Sequence, residues 1–278
     1  MWDSLIINPM INTLLVIYNL VGGNFGIAII VFTILIRLIL YPLTVKQLKG
    51  TQGMQDLQQS KEWQEAQKKY KGDREQLQRE QLRLYKEFGV NPMASCLPTL
   101  LQFPIMIGLY QAVIRALSVT PIQLLDLSKH IYPFVPAAAM IPLNNRFLWM
   151  DLSQPERLMI AGVGIPVLAI LVVVTTYLQS KLMQPPSSNP NDQSAQMART
   201  MNLTMPLFMG YIAYIYSSGL ALYFLVGNLL YIAQYAIMGR LNWKNLLPQK
   251  KAVPVQNSPV QNSPALKKPV KAGEKKKK

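Results

Sequence analysis

"GNFGIAIIVFTILIRLILYPLT", residues 23–44, is an aliphatic run interrupted by one cation, Arg37. About 20 apolar residues suffice for a helix to cross a bilayer, and this stretch reaches that length. Comparable runs occupy residues 92–116, 157–181, 203–217 and 219–239, in a chain of 278 residues that is 50% hydrophobic. An open sheet cannot satisfy its backbone in hydrocarbon, so all five runs are read as helices. The expected fold is all-α: a polytopic membrane protein with a five-span core over residues 23–240.

Arg37 lies nine residues from Lys46, the nearest charged end of its span. At the rise of an α-helix that separation is about 13 Å, and an arginine side chain snorkels over only about half of it. An isolated arginine at such depth costs at least about 2.5–3.5 kcal/mol, so compensation is expected. The proposed spans contain no Asp or Glu, and Glu156 only borders the third. They do contain Thr33, Gln102, Gln111, Gln179, Asn228 and Gln234. These groups either hydrogen-bond between helices or line a hydrated cavity around Arg37. A cationic cavity without its own counter-ion would receive negative charge from another molecule.

Charge orients the chain. Residues 46–91 hold ten Lys and Arg, Lys181 with the 182–202 loop adds two, and residues 240–278 hold eleven. By contrast, residues 1–22 hold none, and residues 118–156 hold only Lys129 and Arg146. The positive-inside rule places the first group in the cytoplasm and the N-terminus outside, as an odd number of spans requires. Residues 1–22 carry Asp3 in place of a basic leader and read as a retained extracytoplasmic segment. Asn8, Pro9, Asn12 and Asn19 make residues 4–21 an interfacial helix in preference to a sixth span.

Residues 46–91 are polar and rich in Gln, Lys and Glu, which suits a cytoplasmic helical hairpin. "KGD" at 71–73 supplies its turn, Asp73 with Gln76 resembles a capping box, and Gly89 before Pro92 ends the second arm. Residues 241–278 repeat "VQNSP" and end in "GEKKKK", a composition that cannot bury a core and predicts a disordered basic tail. Lys267, Lys268, Lys271, Lys275, Lys276, Lys277 and Lys278 would bind polyanions without base specificity. Anionic lipid and ribosomal RNA both fit that chemistry.

A single cysteine, Cys96, and a single histidine, His130, exclude a disulfide framework and argue against a metal site. They also leave no general acid–base pair inside the spans, so no catalytic residue, cofactor or metal is assigned. An ion-coupled transporter or channel is the alternative reading. Such proteins ordinarily carry intramembrane carboxylates or inverted repeats, and neither is visible here.

Three stretches resemble one known family in the same order. "GNFGIAIIVFTILIRLILYPLTVKQ" is similar to the first core span of the YidC/Oxa/Alb membrane protein insertases. "LYKEFGVNPMASCLPTLLQFPIMIGLYQAV" and "YSSGLALYFLVGNLLYIAQ" are similar to later segments of that family, and the likeness spans roughly residues 5–240. The resemblance implies a non-enzymatic insertase and chaperone of the compact bacterial form, in the bacterial inner membrane. It implies a hydrophilic groove open to cytoplasm and lipid, with Arg37 as the groove arginine and Thr33, Gln179 and Phe224 along it. Gln102 and Asn228 join that set as polar residues of neighbouring spans. Phe224 departs from the Tyr or Trp common at its position. The implied partners are nascent membrane-protein clients and membrane lipids, with the ribosome and the Sec translocon as further candidates.

Overall fold

The computed structural model describes residues 1–70, 72–91, 97–117, 120–136, 143–160, 162–183 and 193–239. The basic tail, the start of the second run and the side chain of Gln102 lie outside them. A π-helical turn, Asp3–Ile7, runs into α1 (Asn8–Leu20), followed by α2 (Phe25–Ile39) and α3 (Tyr41–Gln59). Next come α4 (Lys61–Lys69), α5 (Arg74–Glu87), α6 (Leu97–Ala116) and α7 (Pro121–His130). Two short hairpins follow, β1 (Arg146–Phe147) with β2 (Met150–Asp151) and β3 (Leu158–Ile160) with β4 (Val163–Ile165). The last helices are α8 (Val167–Met183), α9 (Gln193–Ile215) and α10 (Ser218–Ile237).

Among the described helices, α10 alone is by itself long and apolar enough to cross a membrane. The segments Asp3–Leu20 and Phe25–Ile39 meet that test together, bent by 120°. Their elbow is a glycine pair: Gly22 and Gly23 take φ of 75° and 77°, the left-handed region glycine enters without a Cβ penalty. Gly23 N–H donates back to the Tyr18 carbonyl at 2.9 Å, and the Asn24 side chain accepts from Ile27 N–H to start α2.

Residues 4–21 do form a helix, and it is heavily packed. Ile11, Leu14 and Leu15 are fully buried, where α1 meets α2, α6 and α7. Asn12, which looked like an interruption, is buried and fully used. Its Nδ2 donates to the Asn8 and His130 carbonyls at 2.7 and 2.8 Å, and its Oδ1 accepts from Tyr132 N–H at 2.7 Å. An apolar recess of about 380 Å³ opens between α1, α2 and the segment after α7, lined by Val16, Leu20, Leu35 and Phe134 among others.

Three boundaries differ from the hydropathy reading. The run at 157–181 is helical only from Val167, because Leu158–Ile160 and Val163–Ile165 pair as the antiparallel strands β3 and β4. Gly162 has φ 83° in its turn, and Pro166 stands directly before α8. The run at 203–217 belongs to a longer helix that starts at Gln193. The run at 23–44 breaks at Leu40, and Pro42 opens the next helix in its first turn, where a missing N–H costs nothing.

The polar region at 46–91 contains three helices, since Ser60 is extended and caps α4 by accepting from Trp63 N–H. Leu57, Trp63, Ala66 and Leu84 form a small core of their own, against which Tyr85, Phe88 and Val90 pack. Burial pushes the Tyr85 hydroxyl pKa up. Asp73 accepts from Glu75 and Gln76 N–H, Glu75 pairs with Arg79, and Gly89 at φ 64° closes α5.

In lipid, helix association rests on close packing because the surroundings are as apolar as the helices. Glycines serve that need here. A Cβ at Gly108 would fall 2.6 Å from Ile6, and one at Gly210 would fall 2.2 Å from Val173, so α6 meets the N-terminal segment and α9 meets α8 at backbone distance. Gly210→Ala is expected to lower the thermal midpoint in detergent through an overpacking penalty of about 1–3 kcal/mol. Adding Val173→Ala should restore most of it in a double-mutant cycle followed by intrinsic fluorescence.

Candidate functional site

α2 carries Thr33 and Arg37 one turn apart, on the same side of the helix. Thr33 is fully buried, and its hydroxyl donates to the Ile29 carbonyl at 2.6 Å. The Arg37 guanidinium is partly buried and lies over the Tyr231 ring of α10, 5.3 Å from its centroid. It also lies against Gly227, where a Cβ would sit 3.1 Å from Nη2. Among the described residues no carboxylate forms an ion pair with Arg37. The cation is therefore held by an aromatic face and by α10 backbone, a contact of about 0.5–2 kcal/mol that leaves its positive charge in place.

α10 continues the polar seam toward α8. Phe224, Asn228 and Tyr231 follow each other at helical spacing, so they share one face. Phe224 is buried, its ring 5.8 Å from that of Tyr223. Asn228 Nδ2 donates to Thr175 Oγ1 at 3.1 Å and to Thr176 Oγ1 at 2.8 Å, which ties α10 to α8. Gln179 lies one turn beyond Thr175 on α8. Its Oε1 and that of Gln234 on α10 are buried and accept no hydrogen bond among the described residues. Buried polar atoms in native proteins are nearly always satisfied, so these two amide oxygens mark acceptor capacity inside the seam.

Of the residues expected to share a site, Arg37, Gln179, Phe224, Asn228 and Thr33 all lie on α2, α8 and α10, and α10 packs on both of the others. Their roles separate. Asn228 and Thr33 are spent on contacts between and within helices, and Phe224 packs into the core. Arg37 and Gln179 keep unneutralised charge and an unused acceptor. Tyr231, Gly227, Thr175 and Thr176 were missed by the sequence reading. Tyr231 was findable, since it falls three residues after Asn228 and seven after Phe224, on their face.

At the opposite end α10 is tied to residues 151–154. Ser218 N–H donates to the Gln154 carbonyl at 2.7 Å, Gly219 N–H to the Leu152 carbonyl at 3.1 Å, and Ser218 Oγ to the Asp151 carbonyl at 2.6 Å. The first amides of α10 are thus capped by the segment between β2 and β3. A Cβ at Gly219 would meet Val113 at 3.0 Å and the Leu152 carbonyl at 3.2 Å, which accounts for the glycine in "SSG".

A sequence profile described as "60Kd inner membrane protein" matches residues 16–245, which include α2, α8 and α10. The chain belongs to the 60Kd inner membrane protein family. Within that family it is 35% identical to the membrane protein insertase MisCA of Bacillus subtilis over 254 residues, 90% of this chain and 84% of that protein. It is 32% identical to the membrane protein insertase YidC of Oceanobacillus iheyensis over 245 residues, 86% of this chain and 84% of the relative. The fold is similar to a crystal structure of an active YidC insertase with its first transmembrane domain resolved. The TM-score is 0.55 at 24% identity, covering 84% of this chain and 46% of that one. The expected resemblance to the YidC/Oxa/Alb insertases is thereby borne out, and the family places the chain among inner-membrane proteins.

Because Gly227 admits the guanidinium to the α10 backbone, Gly227→Leu is expected to displace Arg37 while leaving its charge in the protein. Tyr231→Leu should remove only the aromatic face. If the placement of the charge matters, Gly227→Leu will reduce complementation of an insertase-depleted strain more than Tyr231→Leu does, at equal protein levels on immunoblots.

Proposed function

We infer that the chain is a membrane protein insertase that works by lending Arg37 to its clients. The observation that carries this reading is a guanidinium inside the helical bundle with an aromatic partner and no carboxylate partner among the described residues. A client's short acidic segment enters the seam between α2, α8 and α10 from the side of α3–α5. Its carboxylates are attracted by Arg37, while its backbone N–H groups donate to acceptors such as Gln179 Oε1 and Gln234 Oε1. The client's apolar segment meanwhile slides along the lipid-facing surface of the same helices.

The physical gain is a lower barrier. A negative charge crossing oil alone is expensive, and a fixed cation in a hydrated seam offsets part of that cost without neutralising the charge permanently. With the α3–α5 side in the cytoplasm and the N-terminus outside, the membrane potential favours outward movement of negative charge, by about 2.3 kcal/mol per charge per 100 mV. Burial of the client's apolar segment in lipid supplies the remaining drive, so the protein acts as a chaperone with no covalent step.

The first five-span reading is retained in this proposal, with α2, α6, α8, α9 and α10 as the spans and α1 lying in the outer interface. The bonds that tie the opposite end of α10 to the 151–154 carbonyls support a seam that opens on one side only. The small Trp63 core supports α3–α5 as a unit that holds its own shape beside the membrane helices and meets clients first. The lysine tail is proposed to hold the ribosome nearby through its phosphates.

Depletion and complementation with Arg37→Lys, Arg37→Ala and Arg37→Glu test the electrostatic step. Insertion of a client with an acidic translocated segment is expected to fall in that order, as read by protease protection, while a client with a neutral segment changes much less. Equal insertion by Arg37→Glu and wild type would refute the role of the charge. Separately, truncation at residue 248 is expected to lower ribosome co-sedimentation and to make the remaining binding less salt-sensitive. Unchanged binding would move the ribosome contact to α3–α5.

A further inference from the structure

The two small hairpins present apolar tips that the insertion mechanism does not use. Leu148 and Trp149 form the turn between β1 and β2, and Leu148 takes φ 55°, a region costly for a residue with a branched side chain. That conformation leaves Leu148 74% exposed beside the exposed Trp149. In the second hairpin Met159 and Val163 are 67% and 63% exposed, and Ile160 is exposed as well. From Leu158 to Val167 the chain carries no polar side chain. A strained leucine and an all-apolar hairpin held out at one end of the molecule are unfavourable in water.

Placement identifies what covers them. β4 ends at Ile165, and α8 begins at Val167, so the hairpin stands at the mouth of an apolar helix. Arg157, at the base of β3, is exposed and makes no ion pair among the described residues. Its guanidinium lies over the Tyr214 ring of α9 at 5.4 Å, and its stem passes beside Gly164 of β4. Tyr211 and Tyr214 are both exposed on α9. Trp149 Nε1 donates to Glu156 Oε1 at 2.8 Å, which brings the first turn to the base of the second hairpin. Trp and Tyr with arginine at a helix end are the residues of a bilayer's headgroup level, and guanidinium matches phosphate geometry.

We propose that the Leu148–Trp149 turn and the Leu158–Ile165 hairpin form a phospholipid-binding anchor, with their apolar tips at the headgroup and acyl boundary and Arg157 on a lipid phosphate. Depth is limited by the backbone. Each two-stranded hairpin has outer edges with unpaired N–H and C=O groups, which the hydrocarbon centre does not tolerate. Insertion of about 5–10 Å, as for other interfacial segments, satisfies both the edges and the tips. The anchor would hold the α8 mouth level with the lipid surface and complete the short span of α8. The inference rests on α8 and α9 crossing a bilayer, and it is independent of the role given to Arg37.

The test uses the full chain in proteoliposomes with Cys96→Ser, carrying Met159→Cys or Val163→Cys labelled with an environment-sensitive NBD dye, and Leu148→Cys as a second site. Expected are blue-shifted emission and several-fold stronger quenching by a nitroxide near the lipid glycerol than by one near the acyl terminus or by aqueous iodide. Adding Arg157→Glu should shift emission to the red. Quenching by iodide without quenching by either lipid nitroxide would overturn the proposal and leave the hairpins in water. Blue-shifted emission resistant to every quencher would overturn it in favour of cover by protein. Insertion measured in the same vesicles separates failure of the anchor from failure of the insertase reading.

Discussion

The structure depends on one charge that has been positioned and left unneutralised. Arg37 sits in the last turn of α2 against Tyr231 and Gly227, which lie one turn apart on α10. A carboxylate in place of Tyr231 would stabilise the guanidinium far more and would also end its attraction for anything else. An aromatic face supports the cation without cancelling it, so its positive charge is retained. The cost of keeping it must be met by the surrounding helices.

α10 meets most of that requirement. It packs on α2, α6, α8 and α9, donates its first amides to the 151–154 segment, and bonds Asn228 to two threonines of α8. Its polar groups are used unevenly along its length: Ser218 and Gly219 are bonded at the capped end although the buried Ser217 hydroxyl has no partner among the described residues, Asn228 is shared between helices in the middle, and the Gln234 Oε1 is unused. Glu156 adds to the bonding at the capped end, since its buried carboxylate accepts from Trp149 Nε1 and from Leu168 N–H at the start of α8.

Arg37 was legible in the sequence because depth and the absence of an internal carboxylate are questions of counting. The helix end marked by Gly89 was legible too, since left-handed backbone needs glycine. The β3–β4 hairpin was not, because "LMIAGVGIPV" is as apolar as a helix of the same length and hydropathy carries no information about backbone geometry. Only Gly162, Gly164 and Pro166 distinguish the two, and glycine and proline also occur inside membrane helices. Asn12 read as a flaw in an apolar helix, because its acceptors and donors come from residues 130 and 132. The face that Tyr231 shares with Phe224 and Asn228 was legible in the spacing, but its pairing with Arg37 was not, because that partner lies on a helix remote in sequence.

That remoteness has a consequence for how the molecule is made. Arg37 emerges from the ribosome nearly two hundred residues ahead of Tyr231. At about 5–20 residues per second, α2 waits roughly 10–40 seconds for the helix that receives its guanidinium. The carbonyls of residues 151–154 wait likewise for Ser218 and Gly219. The nascent protein is therefore itself a membrane protein with an unaccommodated charge and unpaired carbonyls, and both are resolved by the arrival of α10.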